Sequence, residues 1–159
     1  MILDAQHEIE DGASSRTSTG VGSDVIDLSL DRSIGNGEPM GVLFVVTTAA
    51  DQTTGDEDYT FDVEYSTNAA QSSGNVTVGR RIFESGTPTA PAQDADLLVA
   101  DYKFVIAIPP ATLSSSDQYL GIRYTLAGTT PSITFKAYLV PLSMIEVGQV
   151  DYADGYAIT

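Results

Sequence analysis

The sequence holds no cysteine, no tryptophan, a single histidine, and only 7 basic residues against 22 acidic ones. Without thiols there is no cysteine nucleophile, no disulfide and no Cys/His zinc site, and a Ser-His-Asp arrangement would have to use His7 as its base. His7 sits in a polar N-terminal segment and reads as a surface residue. The formal charge of −15 opposes contact with phosphate backbones, which needs Lys and Arg to displace counterions, so nucleic acid is not expected as a partner. Long apolar runs are missing too. The longest, residues 41–46, is far too short to cross a bilayer, so no membrane partner is expected either. The opening MILDAQHEIEDG turns acidic within a few residues and reads against a secretory signal, which leaves the NVT triplet at Asn75 without meaning as a glycosylation acceptor.

What is present fits one domain. A chain of 159 residues can bury a substantial core unaided, and 42% hydrophobic with 18% charged residues is not the composition of a disordered chain. Runs rich in Val, Ile, Tyr, Phe and Thr recur between clusters of Gly, Ser, Pro and Asp, and no stretch sustains a helical period. The pattern predicts an all-β fold with strands at residues 25–30, 40–48, 59–67, 75–83, 97–100, 103–108, 119–127 and 132–140, a number that suits a sandwich or jelly roll. Leu120, Ile122, Tyr124 and Leu126 alternate with smaller or polar residues, as do Ile133, Phe135, Ala137 and Leu139 after the turn GTTPS; the two runs read as a hairpin. In MGVLFVVTT both faces are apolar, which predicts a central strand covered on both sides. The expected organisation is an N-terminal arm over 1–22, a sandwich over 23–140 and a C-terminal tail over 141–159.

Two acidic groupings invite chemistry. In YTFDVEY, Asp62 and Glu64 lie two residues apart on one strand face, a rise of about 6.6 Å, near the carboxyl separation of about 6.5–9.5 Å of an inverting glycosidase. They share what reads as the wetter face, with no tryptophan in the chain to bind sugar, so a solubilising acidic face is the expectation and no catalytic residue is assigned. Asp51, Asp56, Glu57 and Asp58 cluster in a polar loop, but their spacing lacks the positions of an EF-hand and no metal or other cofactor is expected. Ser114, Ser115 and Ser116 read as turn residues before Asp117.

The opening MILDAQ, the segment VIDLSLDRSIGNGEPMGVLFVV and the closing YLGIRYTLAGTTPSITFKAYLV together resemble the capsid cement, or decoration, proteins of short-tailed bacteriophages, the group that includes the Bordetella phage cement protein. The resemblance rests on the order and spacing of these segments over most of the chain. It implies a jelly-roll subunit with extended terminal arms and no enzymatic activity, located on the outer surface of the virion capsid. Its implied partners are the major capsid protein and further copies of itself, as dimers with trimers as the alternative. Apolar groups in both ends and a lone arginine pair then become the candidate capsid or subunit contacts: Ile2, Leu3, Arg80, Arg81, Ile145, Val147, Val150, Tyr152 and Tyr156. Two alternatives stay open. One is a carbohydrate-binding or adhesion jelly roll with Tyr59, Tyr65, Tyr119 or Tyr124 as a stacking platform; the other is a minor head-completion component.

Overall fold

The computed structural model describes residues 7–28, 38–109 and 118–146. Ten strands run in chain order: β1 (Glu8–Glu10), β2 (Gly20–Val21), β3 (Ile26–Asp27), β4 (Met40–Thr48), β5 (Asp58–Ser66), β6 (Val76–Glu84), β7 (Gln93–Asp94), β8 (Lys103–Ile108), β9 (Tyr119–Ala127) and β10 (Thr134–Pro141), followed by one helical turn, α1 (Ser143–Glu146). They form two sheets, a four-stranded one in the order β1-β10-β4-β8 and a six-stranded one in the order β2-β9-β5-β6-β7, with β3 also on β9. Every pairing is antiparallel except β6 with β7. The chain is an all-β, jelly-roll-like sandwich.

The period-2 pattern explains the packing. Tyr59, Phe61, Val63 and Tyr65 of β5 and Leu120, Ile122, Tyr124 and Leu126 of β9 point inward, opposite Val42, Phe44 and Val46 of β4 and Phe135, Ala137 and Leu139 of β10. All five phenylalanines meet in this core. Phe44 stacks on Phe104 with centroids 4.7 Å apart, Phe61 meets Phe135 edge-on at 5.2 Å and Phe83 meets Phe104 at 5.1 Å. Such ring pairs add about 0.5–1.5 kcal/mol each beyond the burial of their area.

Four expectations need correction. First, β9 and β10 are not a hairpin. β9 pairs with β5 along its whole length and β10 pairs with β4, so the turn between them carries the chain from one sheet to the other. Their apolar faces meet across the core, Tyr124 edge-on to Phe135 at 5.6 Å, instead of lying side by side. Gly128 makes this corner at φ +93°, and a Cβ there would come within 2.3 Å of the Asp56 carbonyl oxygen.

Second, residues 8–22, expected as an arm, lie within the sandwich. Ile9 is fully buried, β1 adds to β10, β2 adds to β9, and Arg16 exchanges backbone hydrogen bonds with Ile133. Third, residues 97–100 are not a strand. The Asp94 side chain accepts from Asp96 N and starts a 3-10 turn at Ala95–Leu97, which sends Leu98 into the core and leaves Leu97 and Val99 exposed. Fourth, β3 keeps only two residues of the strand expected at 25–30; its last residues lie outside those described.

β4 does lie inside its sheet, between β10 and β8, with residues of both faces buried from Gly41 to Phe44. Outside the core, Leu43 packs with Tyr138 and Val140, and Val45, Val105 and Ile145 complete a second apolar cluster on the outer face of the four-stranded sheet.

Candidate functional site

The outer face of the six-stranded sheet carries the acidic pair of β5. Asp62 and Glu64 point away from the core, yet they are only 3% and 4% exposed. Cross-strand register explains this: Arg80 of β6 and Arg123 of β9 both stand opposite Asp62. Arg80 grips Asp62 with both arms of its guanidinium, Nε to Oδ1 at 2.6 Å and Nη2 to Oδ2 at 2.9 Å. Arg123 donates from Nε to both oxygens of Glu64 at 3.2 and 3.1 Å, and from Nη2 to the Gln71 carbonyl at 2.7 Å. The expected wet, solubilising face is therefore a buried ion-pair layer. Each carboxylate oxygen of the pair already meets a guanidinium.

A loop closes over this layer. Asn68 bonds to Ser72 and Ser73, Asn75 donates to the Gln71 carbonyl, and Gln71 adopts φ 50° with its side chain over Gly121, where an added Cβ would meet the amide at 2.4 Å. Gln71 is 1% exposed, and its amide has no hydrogen-bond partner among the described residues. Its position was not legible in sequence, because the loop reads only as polar turn residues.

The acidic loop before β5 is also internally engaged. Asp51 accepts from Thr53 N at 3.0 Å. Asp56 accepts from Thr54 Oγ1, Thr129 N and Thr129 Oγ1 at 2.7, 3.0 and 2.9 Å, and the Thr54 hydroxyl first, then the Thr129 donors, hold it below the usual carboxylate range. Glu57 is fully buried, accepting from Thr54 N and Asp56 N at 3.1 Å each. These bonds tie the loop to the β9–β10 corner. Asp58 differs: burial, then the opposed Glu84, pushes its carboxyl up. Among the described residues no group of three or more His, Cys, Asp or Glu side chains is arranged to hold a metal ion.

The arginines divide. Arg16 pairs at 2.6 Å with the fully buried Glu10 and lies over the Tyr124 ring. Arg80 is 55% exposed but held by Asp62. Arg81 has no ion-pair partner among the described residues, and its Nε is buried without a hydrogen bond. On the side away from β5, β6 has a ladder partner among the described residues only at Phe83 and Glu84, and Val76 at its start is 51% exposed.

Tyr59, Tyr65 and Tyr124 are core residues, and Tyr119 is half-buried at the start of β9. No tyrosine platform forms from them. Ile145 packs on the second apolar cluster. Ile2, Leu3, Val147, Val150, Tyr152, Tyr156 and the serines at 114–116 lie outside the described residues.

Two sheets, one with an ion-pair layer on its outer face and the other with a second apolar cluster on its own, define a jelly-roll-like sandwich protein whose distinguishing surfaces are sheet faces and strand edges. The Bbp16 family model matches residues 11–139, most of the chain. The chain belongs to the Bbp16 family and is phage-related. No curated protein matches it.

Proposed function

We propose that this chain is a structural virion protein without enzymatic activity, which binds the outer surface of an icosahedral phage head and cements neighbouring major capsid subunits against internal DNA pressure. The observation that carries the reading is the use of polar side chains inside a Bbp16-family sandwich. Asp62, Glu64 and Glu10 are each closed by an arginine, so these buried carboxylates are engaged in holding the sandwich together. The partners under this reading are the major capsid protein and a second copy of the chain.

The mechanism is linkage. A subunit that binds only the assembled shell stabilises it by RT ln(1 + [L]/Kd), about 2.7 kcal/mol per site at a hundredfold excess over Kd, and the effect repeats at every site. Gripping two neighbours adds effective concentration for the second contact. The edge of β6 before Phe83, unpaired on that side among the described residues, can take an added strand, and Arg81 beside it can take a partner carboxylate in its fork. The charge of −15 disfavours capture of nucleic acid by the attached protein.

The test is decoration of heads that lack the protein. Incubated heads should carry many copies over the whole shell by quantitative mass spectrometry and cryo-electron microscopy, and should open at a higher temperature than bare heads. A few copies confined to one vertex would make it a head-completion component, and failure to bind heads would remove the reading.

A further inference from the structure

Strand register sets three carboxylates side by side at one end of the six-stranded sheet. Asp58 of β5 stands directly opposite Glu84 of β6, and Glu84 directly opposite Asp94 of β7. All three are half-buried. Partners in register share a sheet face at about 5 Å, and like charges so placed repel. None of the three has a cation at ion-pair distance among the described residues. The elements packed around the row supply none either. On β9 Ala127 faces Asp58, the loop before β5 brings Asp56 and Glu57, residues 85–92 carry no charged side chain, and Asp96 follows β7. Arg80, on the same face of β6 as Glu84, is taken by Asp62. β7 has little to hold it there. Among the described residues it meets β6 at two positions, Phe83 with Gln93 and Glu84 with Asp94, so half of its ladder is the opposed acid pair.

We propose that the row Asp58, Glu84 and Asp94 is a proton-operated latch for β7, closed when one proton is shared across it and loosened when all three carboxyls are ionised. Hydrogen bonds show where that proton belongs. Glu84 Oε2 accepts from Thr89 N at 2.7 Å and Asp94 Oδ1 from Asp96 N at 2.9 Å, bonds that suit charged acceptors, whereas no donor reaches the Asp58 carboxyl among the described residues. A proton on Asp58 can be given in a hydrogen bond to the Glu84 carboxylate opposite, which spreads the charge that faces Asp94. Burial first, then Glu84, Asp56 and Glu57, push the Asp58 carboxyl up. The folded state therefore holds this proton more tightly than the unfolded state, so the stabilisation is complete in acid, below the unfolded value, and is lost as pH rises through the raised range. Ala95 and Leu98, fully buried just beyond β7, keep the chain anchored and confine the movement to residues 85–94. A freed β7 extends the unpaired side of β6 through Glu84. The latch does not depend on the proposed function.

The test is hydrogen exchange of the full-length protein, read by mass spectrometry over residues 85–94 and corrected for intrinsic rates, at about pH 5 and about pH 7. In the wild type this segment should exchange about two- to fivefold faster at the higher pH, while β9 keeps the same protection at both. Asp94→Asn keeps an acceptor for Asp96 N and removes the repelling charge, so it should hold the segment closed at both pH values. Asp58→Asn, which can still donate to Glu84, should do the same. Asp96→Asn, exposed and outside the row, should leave the wild-type contrast in place. Absence of the contrast in the wild type would overturn the proposal, as would a contrast that survives Asp94→Asn or one that Asp96→Asn also abolishes. The wild type alone gives a second readout, independent of how the variants fold: the Asp58 carboxyl carbon resonance should titrate above the ordinary carboxylate range, and titration at or below that range would remove the latch.

Discussion

At the scale of single residues, the outer layer of the six-stranded sheet decides what the acidic pair is for. Removing one partner of a buried, hydrogen-bonded charge pair leaves the other uncompensated. Arg123 is the more enclosed arginine, at 29% side-chain exposure, and it also holds the Gln71 carbonyl; Arg80 is half exposed. Arg123→Ala should therefore cost about 3 kcal/mol or more, and Arg80→Ala about 1–3 kcal/mol, in urea denaturation. Equal and negligible losses would show the pairs to be incidental. Arg80 is consequently a poor probe of attachment, since its loss disturbs the fold, whereas Arg81→Ala tests a partner contact with less damage. The same geometry predicts that purified protein hydrolyses no glycoside. Activity present in the wild type and abolished by Asp62→Asn or Glu64→Gln would overturn that assignment.

At the scale of elements, alternation located the long strands almost to the residue: 40–48, 103–108 and 119–127 coincide with β4, β8 and β9, because each buries one face or both in a core that rewards strict period 2. It could not say which strand pairs with which. The apolar faces of β9 and β10 are the same whether they lie side by side or face each other, and only the corner at Gly128 separates the two cases. β1, β2 and β7 have two or three residues each, too few to show a period, and β1 and β2 are held by long-range partners, Glu8 on Tyr138 and Gly20 on Tyr124. The buried state of Asp62 and Glu64 was hidden for the same reason, since it depends on arginines 18 and 59 residues away in the chain. One residue ties two corners together. The buried Tyr59 hydroxyl donates to the Asp51 carbonyl at 2.5 Å and accepts from Ser132 N at 3.3 Å. Burial first pushes its phenol up to about 12, against 10.0 ordinarily. The folded state thus holds this proton more tightly than the unfolded state, so its contribution is complete below the unfolded value and is lost as pH rises from about 10 towards about 12. Wild type should lose stability across that window, and Tyr59→Phe, weaker at neutral pH by about 1–3 kcal/mol, should lose less there. Parallel curves for the two proteins in alkaline urea titrations would refute this.

At the scale of the whole molecule, the question is which surfaces remain for neighbours once the chain has used its own groups. On the outer face of the six-stranded sheet Asp62 and Glu64 are closed over by their arginines and the loop around Gln71, and the outer face of the four-stranded sheet is partly closed by α1. Residues 142–146 therefore belong to the sandwich. Burying a side chain such as Ile145 contributes about 1.5–3 kcal/mol, so a truncation after Pro141 would confuse loss of attachment with loss of stability. The informative truncation falls after Glu146. Removing residues 147–159 leaves every described element, α1 included, in the chain. The truncated chain should keep its core spectrum and still decorate heads, because attachment through the β6 edge and Arg81 is untouched. A truncated chain that stays folded but falls off heads on mild heating would mean that the segment fastens neighbours directly. Unfolding of the truncated chain would instead make residues 147–159 part of the fold's essential packing, and attachment would then have to be tested by Arg81→Ala alone.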